Sequence, residues 1–360
     1  MKRESFDEGI KGPLFAAANS GEGFISFYSD IFGNENIKRK YIIKGGPGTG
    51  KSYFMKKVAE FAKKRSAEIE YYRCSSDPRS LDGIIINKSI AVIDGTSPHT
   101  VDTDLPGARD EIVNLGQFWN SQFLTENFDS IDRLVKEKSA AYKRAYRYLS
   151  ASLELEEINM SRLLPCVLEK KMLGAVKRII DRIPAGSGGR ALAGIEDSIG
   201  MSGRVRFNSY LESANKVFVI DDYFNSAPLF LALVVKSGLV NENAMRVSYE
   251  PVSAKRLDAV YFSESGVCFV ISKNIEDSSA YDGSRINMKR FVDNALLDGV
   301  KGEIRSNFRI ANALLEASCD VLADAGKYHF KLEEIYKQSM DFEAMTAFTE
   351  RFCRELSSML

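Results

Sequence analysis

The sequence predicts an α/β fold of the three-layer kind, a mostly parallel sheet with helices on both faces, duplicated in tandem and extended by helical arms. Three observations predict it. A strand, a glycine-rich loop and an amphipathic helix follow one another over residues 40–65. An apolar strand at 90–93 ends in Asp94. The chain resembles itself at a shift near 177 residues.

The first unit reads KYIIKGGPGTGKSYFMKKVAEFAKKR. Tyr41, Ile42 and Ile43 favour a buried strand, and Phe54, Val58 and Phe61 recur at helical spacing. Between them GGPGTGKS, residues 45–52, matches the GxxxxGK[ST] phosphate loop through Gly45, Gly50, Lys51 and Ser52. Glycines let backbone N–H groups turn inward, and the helix start adds a partial positive charge, so the unit is an anion nest. The reading assigns phosphate contact to Gly45, Gly46, Pro47, Gly48, Thr49, Gly50, Lys51, Ser52 and Tyr53. Lys51 carries the charge to the β- and γ-phosphates, and Ser52 is a ligand of Mg²⁺.

Ile90, Ala91, Val92 and Ile93 precede Asp94, the hhhhD pattern of a strand that faces the metal. Asp94 is therefore expected opposite Ser52, holding Mg²⁺. Gly95 follows it where many ATPases carry a glutamate base, so the base is unassigned. Asp77 in the polar loop 75–83, His99 in GTSPHT and Glu111 are candidates for that crevice, each with a plainer reading as a turn, solvated-loop or cap residue. Arg109 is a candidate for phosphate charge.

The self-comparison pairs LeuGluGluIle at 155–158 with the same tetrapeptide at 332–335. In the same register it pairs IleAlaValIleAsp at 90–94 with ValCysPheValIle at 267–271. The second strand survives as LysValPheValIle at 216–220, but Asp221, Asp222 and Ala227 stand where the loop glycines and Lys51 do. One nucleotide site is expected, in a domain spanning 1–185, with a degenerate copy over 186–360. A competing assignment makes ValPheValIleAspAsp at 217–222 the metal strand, with Asp222 as ligand. ProAlaGlySerGlyGly at 184–189 has linker composition. Residues 125–183 and 303–360 read as helical arms, with Lys143, Arg144 and Arg147 clustered on the first.

Composition excludes several classes. The 49 basic and 49 acidic residues cancel, which argues against nucleic acid or an anionic membrane as partner. Five scattered cysteines without a CxxC pair suit a reducing cytoplasm, and the longest apolar run, 227–235, is about half of a bilayer span.

With the loop, CysSerSerAspProArgSerLeuAspGly at 74–83, AspGlyThrSerProHis at 94–99, AspGluIleValAsnLeuGly at 110–116 and LysArgAlaTyrArgTyrLeu at 143–149, the N-terminal half resembles a bacterial family of duplicated P-loop ATPases. The resemblance implies phosphate binding at Gly45–Ser52 and a loop in each half, from which the second half departs. The expected cofactors are ATP or GTP with Mg²⁺. The expected activity is nucleoside triphosphate hydrolysis, against two alternatives: a small-molecule phosphotransferase and a nucleotide switch without turnover. A protein partner or a second copy is expected on the C-terminal domain.

Overall fold

The computed structural model describes residues 10, 12–275 and 284–360. In chain order the first half forms β1 (Pro13–Phe15), β2 (Ala17–Ser20), β3 (Gly23–Ser26), α1 (Tyr28–Phe32), β4 (Arg39–Lys44), α2 (Lys51–Lys63), β5 (Ile69–Arg73), β6 (Leu81–Ile86), β7 (Ile90–Asp94), β8 (Asp110–Asn114), α3 (Ser121–Glu126), α4 (Phe128–Leu163) and α5 (Glu169–Ile180). The second half repeats that order: β9 (Arg190–Ala193), β10 (Asp197–Gly200), β11 (Gly203–Arg206), α6 (Ser209–Ser213), β12 (Lys216–Asp221), α7 (Ala227–Val240), β13 (Ala244–Tyr249), β14 (Leu257–Phe262), β15 (Val267–Ile271), β16 (Ser284–Asn287), α8 (Asn294–Asp298), α9 (Lys301–Ser339) and α10 (Phe342–Leu356).

Two six-stranded sheets result, ordered β1-β5-β6-β7-β4-β8 and β16-β12-β15-β14-β13-β9, the same order read from opposite edges. Each is mixed. In the first, β1–β5, β4–β7 and β4–β8 are parallel, while β5–β6 and β6–β7 are antiparallel. The reason is local. Asn87 and Lys88 both take left-handed φ, 48° and 55°, and Ser89 N–H donates to Ile86 O, a tight turn over 87–89 that folds β6 straight back onto β7. A parallel crossover would need a helix there.

The outer face of the first sheet is covered by α2, through Phe54, Met55, Val58, Ala59 and Ala62, at the spacing of one helical face. It shares that cover with α10, whose Met345, Phe352, Cys353 and Leu356 join the same core. The second sheet is covered by α7 and by α5, through Met172, Val176 and Ile180. The last helix of each half thus lies on the sheet of the other. Between the sheets a shared core holds Tyr28, Ile31 and Phe32 of α1, Tyr210 and Leu211 of α6, and the inner faces of both sheets.

The arms α4 and α9 make the exchange by running antiparallel. Ser318 donates to Ala145 O, Ser152 to Ala311 O and Asn159 to Ile304 O, steps of seven residues in opposite directions. At the arm ends, Trp119 bridges Met340 and Val167 bridges Val292. A single offset of 173 carries Trp119 to Val292 and Val167 to Met340, so the two bridges are one contact repeated about a local twofold.

The segment at 184–189 is docked. Gly186 and Gly188 donate to Asn241 O and Glu242 O, and a Cβ on Gly186 would overlap Glu242 O. Among the described residues no helix is long and apolar enough to cross a membrane.

Candidate functional site

β4 delivers the chain at Lys44 and α2 takes it up at Lys51. In the loop between them Gly48 and Gly50 take φ of 72° and 84°, a left-handed backbone that only glycine adopts cheaply, while their neighbours do not. That alternation turns successive N–H groups toward one concavity. The Thr49 hydroxyl donates to Gly46 O at 2.8 Å and fixes the curl. Gly50 caps α2 without a side-chain acceptor, and no acid lies in the first turn. The helix start therefore keeps its unpaired donors and its partial charge of about +0.5.

Three predicted side chains meet at this helix start. Lys51 Nζ donates to Gly46 O at 2.8 Å and Gly45 O at 3.2 Å, and lies 3.6 Å from Asp94 Oδ2. Parallel pairing sets Ile43 against Asp94, which is how β7 delivers its last residue beside the loop. The other Asp94 oxygen accepts from the Thr96 N–H and hydroxyl, at 2.9 and 2.6 Å. Ser52 Oγ accepts from Leu81 N at 3.2 Å. Tyr53, in the first turn of α2, is 43% exposed with the Lys57 ammonium over its ring.

Gly95 is set by packing. A Cβ there would overlap Ile42 Cγ2, so a glutamate after Asp94 has no room. An acid on the neighbouring strand instead faces a base from the loop after β7. The β6–β7 register pairs Gly83 with Ile93, and one further step sets Asp82 beside Asp94. His99 Nε2 is 3.0 Å from Asp82 Oδ2, its ring stacked on Tyr28 and edge-on to Phe24, and its buried Nδ1 has no hydrogen-bond partner among the described residues. Burial, with Asp82 and then Asp94 nearby, pushes the Tyr28 phenol well up, and burial beside Asp82 raises the Cys74 thiol.

Other sequence candidates lie elsewhere. Asp77 accepts from the backbone and guanidinium of Arg79, and so serves its own turn. Arg109 pairs with Asp104 and Asp110, and Glu111 pairs with Arg39; both sit at the start of β4, the opposite end of the strand from the loop. Lys143, Arg144 and Arg147 are exposed on α4.

Sequence reading missed what the exchanged arm contributes. A Cβ on Gly46 would meet the Tyr336 ring at 2.7 Å, one on Gly48 the Glu333 carbonyl at 2.5 Å, and one on Gly50 Met345 Sδ at 2.8 Å. The glycines are thus required twice, by the curl of the loop and by α9 and α10 lying on it. On α4, Lys138 is a partly buried ammonium near Lys51 with no hydrogen bond or ion pair among the described residues. Desolvation and then the Lys51 charge hold it below the usual lysine range. Nothing in a run of alternating charges marks that one lysine beforehand.

The second half shows the same scaffold with the concavity filled. Asp222 turns its carboxylate into its own loop and accepts from Asn225 N at 3.1 Å and Ala227 N at 2.9 Å, the latter the first residue of α7. Phe224 and Asn225 carry the left-handed φ there. Lys273 reaches Asn225 and Glu250, and Glu156 of α4 pairs with Arg256. The carboxylate on which the competing metal-strand assignment rests is thus a ligand of its own backbone.

No family model, curated protein or solved structure matches this chain.

Proposed function

We propose that the chain binds one Mg²⁺–nucleoside triphosphate, ATP or GTP, at Gly45–Ser52 and hydrolyses it slowly, the second half being silent. The observation that carries this reading is the contrast between the two helix starts. One keeps free donors, with Lys51 and Asp94 beside it; its twin is neutralised from within by Asp222. In this reading the loop N–H groups and Lys51 hold the β- and γ-phosphates, and Ser52 and Asp94 hold the cation. The resemblance to duplicated P-loop ATPases fits the first half, and a role as protein partner platform is left to the second.

Phosphoryl transfer to an acceptor is the second reading. It is favoured by Gly95, which excludes the usual base, and by the enclosed pair of Asp82 on β6 with His99 from the loop after β7, which suits acid–base work at a buried group. Phosphate release from Mg²⁺–ATP without any acceptor separates the two. Turnover in buffer alone supports hydrolysis; release only with added metabolite fractions supports transfer.

A further inference from the structure

We infer that Lys138, carried by α4, is a second phosphate-binding cation of the Gly45–Ser52 site, and that with Lys51 it makes the site select a triphosphate over a diphosphate.

The inference rests on the nucleotide reading above and on three observations. The first is placement. Lys138, Tyr142 and Tyr146 follow at i, i+4 and i+8, one face of α4. Tyr142 donates to Ser76 Oγ at 2.9 Å and Tyr146 to Asn19 Oδ1 at 2.8 Å, so this face is fastened onto the first half. The loop holding Ser76 ends at Leu81, whose N–H meets Ser52. Lys138 is the next side chain along that face, toward Lys51.

The second is the lack of an opposing charge. Lys138 falls between Leu134 and Ala141, both buried, on the stripe that α4 packs inward. A lysine there loses hydration, a cost normally offset by a carboxylate. Glu156, the acid on the same inward stripe farther along α4, has such a partner in Arg256. The charge that acts on Lys138 is instead that of the Lys51 ammonium, an arrangement that a bound anion relieves.

The third is the twin half. The offset of 173 that relates the arm-end bridges carries Lys138 to Ala311, just as the strand–loop–helix alignment carries Lys51 to Ala227. Where the loop is filled by its own carboxylate, both lysines are alanine.

In the nucleotide reading Lys51 holds the β- and γ-phosphates, and the γ-phosphate, which a diphosphate lacks, is the group left for a further cation beside it. Lys138 therefore acts on the last phosphate, and the arm senses whether it is present. Binding of fluorescent ADP and of a non-hydrolysable ATP analogue tests this on the full chain. The wild type is expected to prefer the triphosphate. K138M, which keeps the length and apolar stem in the stripe, is expected to lose about tenfold or more in triphosphate affinity with ADP within about threefold, and K138R to restore the preference. In the unmodified protein, amine acylation at Lys138 should be blocked by the analogue and not by ADP.

An unchanged preference in K138M, an equal loss for both nucleotides, or labelling indifferent to the γ-phosphate overturns the inference while leaving the loop assignment standing. Failure of the wild type to bind either nucleotide overturns the loop assignment itself.

Discussion

The two strand–loop–helix units share one skeleton and opposite chemistry. After β4 the chain takes six residues, with left-handed glycines and no acid, and opens an uncapped helix. After β12 it takes five, and Asp222 caps α7 from inside the loop. Unpaired N–H groups at a helix start favour a negative charge, and in the second half the chain supplies that charge itself. The same divergence runs through the neighbouring hairpins. Glu196, Asp197, Arg204 and Arg206 of the second half stand where the first has Ala16, Ala17, Phe24 and Ser26. Equivalent aspartates consequently meet different partners, Asp82 the ring of His99 and Asp258 the guanidinium of Arg206.

The exchange of last helices is the strongest point at which the comparison can be broken. Residues 1–185 alone lack α10 and leave the outer face of the first sheet without Met345, Phe352, Cys353 and Leu356. Burying four such side chains is worth roughly 6–10 kcal/mol, so the fragment should show no cooperative melt, and adding back a tethered 340–360 segment should restore one. A fragment 1–185 that melts cooperatively by itself would show the halves to be independent.

The charged hairpin gives the next effect. Three buried carboxylates, Glu196, Asp197 and Asp258, face two guanidiniums, so the cluster favours one retained proton. Burial pushes Glu196 up to about 8, against the pull of Arg206. A carboxyl whose folded value is raised contributes fully below its unfolded value, near 4.5, and that contribution is lost as pH rises toward 8. Melting temperature should therefore fall between pH 5 and 8, by a loss on the order of 2 kcal/mol, and E196Q should flatten the profile. A melting temperature that rises over that range would contradict the assignment.

Gly95→Ala comes third. The added Cβ must displace Ile42 beside the loop, which costs about 1–3 kcal/mol and should weaken nucleotide binding along with stability. Asp222→Ala is the smallest, about 1 kcal/mol for a lost helix cap, seen in the melt with nucleotide affinity unchanged.

Much of this was legible in the chain. The glycine loop and its flanking strand and helix stood out because each is local, and the 177-residue register holds for β4 with β12 and β7 with β15. In the arms the offset is 173, so the LeuGluGluIle tetrapeptides at 155–158 and 332–335 are not equivalent positions. Sheet direction was less so: AsnLys between two apolar runs is a weaker signal than AsnGly for the turn that makes β6 and β7 antiparallel. The exchange was invisible, because Met172, Val176 and Ile180 form an apolar face that would suit either sheet. Lys138 was hidden for a related reason. In LysGluLysSerAlaAla one lysine reads like the next until the packing direction of α4 is known, and the competing reading of Asp222 as a metal ligand stays open until its loop is seen to close around it.

Calorimetric titration of the full chain with Mg²⁺ and a non-hydrolysable ATP analogue distinguishes one open loop from two. One site per chain is predicted, lost by at least about a hundredfold in Lys51→Ala and intact in Asp222→Ala. Two sites per chain, or binding that survives Lys51→Ala, would contradict it.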